Sequence, residues 1–314
     1  MVNTFSPAFD FYPLEASPKP VAARPVKVQY PSVPPGLKFL RLQLRLQAAV
    51  SADWAFRSVW RLFTTPRQLP VKAWEAAAMA QATPRSVQAE SGKVAYYEWN
   101  PAGTRTVLLV HGWEHRASFW GYMAAGLVAA GFRVVALDGP AHGASAGQQA
   151  TLVSFAAAVQ AVADAVGPVH AAVAHSFGAA CTAGVPVRFN QATNGELPRL
   201  VLMSAPSSTR NVAERFADLL RLSPNVVDRM GHFVQEQFNR SAESFSLVEA
   251  GRHLPVQRAL LLHDRHDLNV PFTDGEAIAA NWPTLEFRPT NGLGHNRIMR
   301  DPAVIQQVVE FLNE

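Results

Sequence analysis

Cysteine is nearly absent from this 314-residue chain. The lone Cys181 excludes an internal disulfide framework and a cysteine-rich zinc site, and it fits a reducing, cytoplasmic setting. No run of 18 apolar residues occurs, so no transmembrane helix is expected. The opening MVNTFSPAFDFYPLE lacks the basic start and apolar core of a secretory signal. Charge is sparse at 17%, and Lys+Arg exceed Asp+Glu by only 28 − 24 = 4. That excess is not gathered into one block, which argues against a nucleic-acid partner. What is plentiful is apolar residues, 48% of the chain, enough for one large folded domain with a decoration or for two small domains.

Proline is unevenly placed: eight of the 23 fall in residues 1–36, which read as an extended arm. Residues 37–64 then show apolar positions at helical spacing, interspersed with Arg41, Arg45, Arg57 and Arg61. One or two amphipathic helices are expected there, within a helical extension over 37–90. Such helices either pack on the body or rest on an anionic membrane surface. From Lys93 the rhythm becomes strand, turn, helix. KVAYYEW, TVLLVHG, FRVVALD, VHAAVAHS, LPRLVLMSAP, RALLLHD and TLEFRPT read as strands. Helical stretches separate most of them, and the last helix is announced by Asp301 as cap and Pro302 in its first turn. Apolar strands alternating with helices predict an α/β fold, a mostly parallel sheet covered on both faces. The stretch at about 207–256 breaks the alternation with helical patterning and reads as a small cap inserted into the body.

Four short segments carry chemistry. In Ala174-His175-Ser176-Phe177-Gly178 an apolar strand hands over to a helix. A serine there sits on a tight turn, with small residues two positions away on either side so that the backbones can approach. The helix N-terminus directs free N–H groups toward developing negative charge. Val110-His111-Gly112-Trp113 ends another strand, so the N–H groups of Trp113 and Phe177 could converge as an oxyanion hole. His111 and His115 lack the glutamate of a zinc-binding H-E-x-x-H, and no metal is expected. After the strand RALLL comes His263-Asp264-Arg265-His266-Asp267, where a histidine-orienting carboxylate belongs; Asp267 is the first choice and Asp264 the second. Gly292-Leu293-Gly294-His295 puts a histidine on a glycine turn late in the chain, as suits a general base.

The order Ser176, Asp267, His295 is the nucleophile–acid–base order of an α/β-hydrolase. Residues 93–314, some 70% of the chain, resemble that superfamily, and specifically its small bacterial esterase-like and lysophospholipase-like members with an inserted cap. The resemblance rests on VLLVHGW, VVALDGPAHGASAG, VAHSFGAA, DLNVPF and GLGHNRIM; Ala174 stands where the family has its first glycine. It implies a serine hydrolase needing no cofactor, with Ser176 as nucleophile, His295 as base and Asp267 as orienter. The expected substrate is a small-molecule carboxylic ester with a small to medium acyl chain. His111, Trp113, Phe119, Phe216, Leu220 and Met230 are candidate pocket residues, with Leu219, Val226, Val227 and Phe233 beside them in the cap. Other readings share the motifs: a thioesterase or lipid hydrolase at a membrane surface reached through 37–64, a cofactor-free haloperoxidase or C–C bond hydrolase, and a non-catalytic ligand-binding scaffold. The sequence leaves the oligomeric state open.

Overall fold

A computed structural model of the chain describes residues 35–185, 187–190, 196–239, 241 and 244–314. The arm expected over 1–36 therefore lies, up to residue 34, outside the described residues. Eight strands form one sheet: β1 (Thr83–Ala89), β2 (Gly92–Trp99), β3 (Thr106–Val110), β4 (Arg133–Leu137), β5 (Val169–His175), β6 (Leu197–Met203), β7 (Val256–Asp264) and β8 (Leu285–Thr290). Their order is β1-β2-β4-β3-β5-β6-β7-β8. The pairs β1–β2 and β2–β4 are antiparallel and all the others are parallel.

The helices are α1 (Pro35–Val50), α2 (Ala52–Thr64), α3 (Ala73–Met79), α4 (Gly121–Ala129), α5 (Leu152–Val166), α6 (Phe177–Ala183), α7 (Thr209–Leu220), α8 (Pro224–Phe238), α9 (Leu247–Ala250), α10 (Phe272–Asn281), α11 (Gly294–Arg297) and α12 (Pro302–Asn313). The central strands are mainly apolar on both sides because both of their faces are covered. In β3, Leu108 and Val110 point into the layer that holds Phe155 and Val159 of α5. Val107 and Leu109 point into the opposite layer, with Met123 and Leu127 of α4 and Val308 and Phe311 of α12. Burying each such side chain contributes about 1.5–3 kcal/mol. Local signals place the helix starts: Thr151 Oγ1 accepts from the Ser154 N–H at 3.1 Å, and Asp301 Oδ1 from the Ala303 N–H at 3.0 Å.

The sheet begins at Thr83, ahead of the boundary at 91 expected from the sequence. TPRSVQA has no apolar alternation because β1 is an exposed edge strand, where Pro84 needs no partner for a missing N–H.

The segment between β6 and β7 is helical, as the broken alternation predicts, and carries α7, α8 and α9. Its main apolar partner is the N-terminal hairpin α1–α2. Leu220, Val226 and Met230 form one buried cluster with Leu44, Ala55, Phe56 and Val59. Leu220 and Met230, candidate pocket residues in the sequence, are thus placed against the hairpin: an amphipathic stripe reveals that a face is buried, not what buries it. Phe216 also packs there, its ring centroid 4.9 Å from that of Phe63. Arg41 closes the contact from the other side, its guanidinium donating twice to the Leu219 carbonyl at 2.7 and 2.9 Å, near the negative end of α7.

Candidate active site

Ser176 sits between β5 and α6 with φ 52° and ψ −119°, a strained conformation for a residue with a side chain. Packing holds it there. Its N–H donates to the Met203 carbonyl of β6 at 2.9 Å. At Gly178 a Cβ would stand 2.3 Å from the His111 carbonyl oxygen, so only glycine lets α6 seat against the end of β3. At Gly112 a Cβ would lie 2.9 Å from His175 Nδ1 and 3.1 Å from Ser176 Cβ. The 111–113 loop is thus pressed against the serine turn.

His295 lies on the short turn α11, beyond β8. Its Nδ1 is 2.7 Å from Asp267 Oδ2 and its Nε2 is 3.0 Å from Ser176 Oγ. Asp267 Oδ1 accepts the N–H groups of Asn269 and Val270, both at 2.9 Å. Burial pushes the Asp267 carboxyl pKa up, but the His295 hydrogen bond and charge together with those two N–H groups outweigh it, and the net shift is downward. The ionised Asp267 accepts a hydrogen bond from the Nδ1–H of His295, which fixes the tautomer whose Nε2 lone pair faces the serine hydroxyl.

Asp264 does something else. It is buried and accepts from the His266 N–H at 2.9 Å, the Leu293 N–H at 2.9 Å and the Thr290 hydroxyl at 2.8 Å. Burial raises its pKa, yet the N–H groups of Gly294, Leu293 and His266 carry it down to about 2. Asp264 therefore ties β7 to the turn bearing His295 without touching the imidazole.

The N–H groups of Trp113 and Phe177 donate to no acceptor among the described residues. Their rings meet edge to face at 5.2 Å, which puts the two residues side by side at the turn. The Phe177 ring also meets Phe155 at 5.4 Å. Phe119 stacks on His115 at 4.1 Å. His111 is fully buried and braces the loop: its Nε2 accepts the Gly139 N–H at 2.9 Å and its Nδ1 donates to the Gly112 carbonyl at 2.7 Å. Asp138, in the DGPAHGASAG loop, accepts from the Ala117 and Ala144 N–H groups at 2.7 and 2.8 Å, a loop-bracing arrangement.

Three braces escape a reading of the sequence. His175 Nε2 donates to the His295 carbonyl at 2.8 Å, and its ring stacks on His115. His142 Nε2 accepts the Glu114 N–H at 3.1 Å. Arg67, from the linker between α2 and α3, clamps the Glu114 carboxylate with its Nε at 2.7 Å and a terminal nitrogen at 2.6 Å. Only the adjacency of His175 to the serine hints at the first; nothing in the sequence points to the other two. Burial holds His111 and His175 well below the ordinary histidine range, His115 at about 3 and His142 at about 4. All four rings are therefore neutral at pH 7. The arrangement can generate a serine alkoxide, hold a charged imidazole and receive a negative oxygen.

Residues 107–306 match the α/β hydrolase family, and the chain belongs to that family. Solved structures share the fold. An esterase from Rhodococcus sp. is 20% identical, with a TM-score of 0.55 over 74% of this chain and 98% of its own. An esterase from Pyrococcus furiosus is 17% identical, with a TM-score of 0.58 over 79% and 98%. A bromoperoxidase from Bacillus anthracis is 18% identical, with a TM-score of 0.54 over 74% and 100%. No curated protein matches the chain.

Proposed function

We propose that the chain is a serine hydrolase that cleaves a carboxylic ester of small to medium acyl chain through an acyl-serine intermediate. The observation that carries this reading is the unbroken relay from Asp267 to His295 to Ser176, at 2.7 and 3.0 Å, ending on a strained serine. Ser176 Oγ attacks the ester carbonyl as His295 Nε2 takes its proton. The negative oxygen that forms is stabilised by the N–H groups of Trp113 and Phe177. His295 returns the proton to the departing alkoxide, and the alcohol leaves. Water, deprotonated by the same imidazole, then releases the acid and restores the serine. The half-buried rings of Trp113, Phe119 and Phe177 favour an apolar acyl group of limited length.

The test is a chain-length series of p-nitrophenyl esters, run with the wild type and with Ser176→Ala. The wild type should prefer short to medium chains and take a fluorophosphonate label on Ser176. The variant should lose at least ~10³-fold in kcat and all labelling while remaining folded. Near-normal turnover by the alanine variant would remove Ser176 as nucleophile. An unlabelled, inactive wild type would favour a binding scaffold.

A further inference from the structure

The outer face of α1 carries a row of apolar side chains. Phe39, Leu42, Leu46 and Val50 recur at helical spacing and are 70%, 54%, 61% and 76% exposed. Leu44 and Gln47, on the opposite face, are buried toward α2 and the insertion. Trp54, just past the bend into α2, is 51% exposed. Folded proteins seldom leave a contiguous row of this kind in water without a use for it.

Charge says what covers it. α1 contains no Asp or Glu, and on its outer face Lys38 and Arg45, two turns apart, flank Leu42. Arg41, in contrast, is turned inward onto the Leu219 carbonyl. Across residues 35–64, Lys38, Arg41, Arg45, Arg57 and Arg61 against Asp53 give 5 − 1 = +4. That equals the formal net charge of the whole chain, so all other residues together sum to zero. Lysines and arginines that look scattered along the sequence thus account for the entire excess in one hairpin. The hairpin's single acid, Asp53, is already paired with Arg229 at 2.8 Å. A second copy of the hairpin would bring cations against cations, whereas an anionic surface complements them. No described helix is long and apolar enough to cross a membrane, which leaves α1 to lie in the plane of an interface.

We propose that α1 docks the protein on the surface of an anionic lipid bilayer. Phe39, Leu42, Leu46 and Val50 enter the boundary of the acyl chains, and Lys38 and Arg45 meet the headgroup phosphates.

The experiment is co-sedimentation of the full-length chain with vesicles of phosphatidylglycerol or of phosphatidylcholine, at low and at high salt. Two double variants accompany it, Leu42→Glu with Leu46→Glu and Lys38→Glu with Arg45→Glu. All four sites are exposed, so circular dichroism and Tm should match the wild type. The wild type should pellet with phosphatidylglycerol roughly tenfold more than with phosphatidylcholine, and high salt should weaken the binding. Both double variants should stay in the supernatant. The proposal is overturned if the wild type ignores phosphatidylglycerol at low salt, or if either variant pellets as the wild type does. It is also overturned if sedimentation velocity shows a dimer that Leu42→Glu with Leu46→Glu dissolves while no form binds vesicles; the stripe would then be a contact between two copies of the chain.

Discussion

The sheet and the N-terminal hairpin solve the same problem differently. The central strands bury both faces against helical layers, with α5 on one side and α4 and α12 on the other. The hairpin buries one face only, and it does so against α7 and α8, far away in sequence. Its other face carries the exposed Phe39, Leu42, Leu46 and Val50. The sheet therefore supplies rigid strand ends on which Ser176, Asp267 and His295 can meet to within hydrogen-bond distance. The hairpin supplies a surface and, through the linker after it, two ties to the loop after β3: the Arg67 side chain donates to Glu114, and the Leu69 carbonyl accepts from Arg116. The part that matches the family holds the Ser176, Asp267 and His295 side chains, and the exposed apolar row of α1 lies outside residues 107–306.

The largest effect that separates these roles lies at the sheet. Asp267→Asn should lower kcat by about 10³–10⁴-fold, because an amide cannot hold the imidazole in the tautomer that accepts the serine proton. Its Tm should move little. Asp264→Asn should do the reverse, lowering Tm while most of kcat survives. The pH dependence adds a check. Asp264 titrates near 2 in the fold, below its ordinary value near 4, so its stabilisation is present above pH ~4 and fades as pH falls toward ~2. The stability gap between wild type and Asp264→Asn should close over that window. If Asp264→Asn is the inactive variant, the relay runs through the wrong carboxylate here.

How much of this was legible depends on the kind of signal. Fully apolar strands such as TVLLV announce a buried parallel sheet because both faces need covering. The serine turn was legible because close packing forces small residues at Ala174 and Gly178. The choice between Asp264 and Asp267 rested on position in the loop alone, since both are plausible turn aspartates; only the hydrogen-bond geometry distinguishes them. β1 left no trace because an exposed edge strand needs no apolar period. Leu220 and Met230 stand at helical spacing among apolar residues, but periodicity does not name what covers such a face, and the hairpin packs on it. The Arg67–Glu114 clamp joins residues 47 apart, one of them exposed, and such a contact has no periodic signature at all.

A cavity made in the hairpin should have a smaller effect than losing the relay, and of another kind. Leu44 is buried among Ala55, Phe56, Val59 and the insertion helices. Leu44→Ala should cost about 2–5 kcal/mol of local packing. If the hairpin is adaptable and the sheet rigid, this appears as an early, low-amplitude step in thermal unfolding, with kcat at 25 °C within a few-fold of the wild type. Leu108→Ala, a cavity of the same chemistry in β3, should instead shift the main transition. A single shared transition in both variants would show that hairpin and sheet unfold as one unit, and the contrast between them would fail.

The smallest effect tests whether the extension reaches the chemistry. Glu114 follows Trp113 directly and has φ 59°, so the loop after β3 turns sharply at the residue Arg67 holds. Burial raises the Glu114 pKa, but the bonds and charge of Arg67 outweigh this and keep it below the ordinary range. The Arg67 side chain is 79% exposed, so water and salt screen the pair, and its contribution to stability should not exceed about 1 kcal/mol. Arg67→Ala should therefore leave Tm within a few degrees. It should loosen the loop that carries the Trp113 N–H, and an oxyanion donor acts only once charge develops. The expected outcome is a kcat lowered a few-fold at unchanged KM, partly restored by Arg67→Lys. Raising the salt should narrow the gap between wild type and variant. A change confined to KM would instead place Arg67 in substrate binding, and no change in either constant would leave the clamp as a purely structural tie.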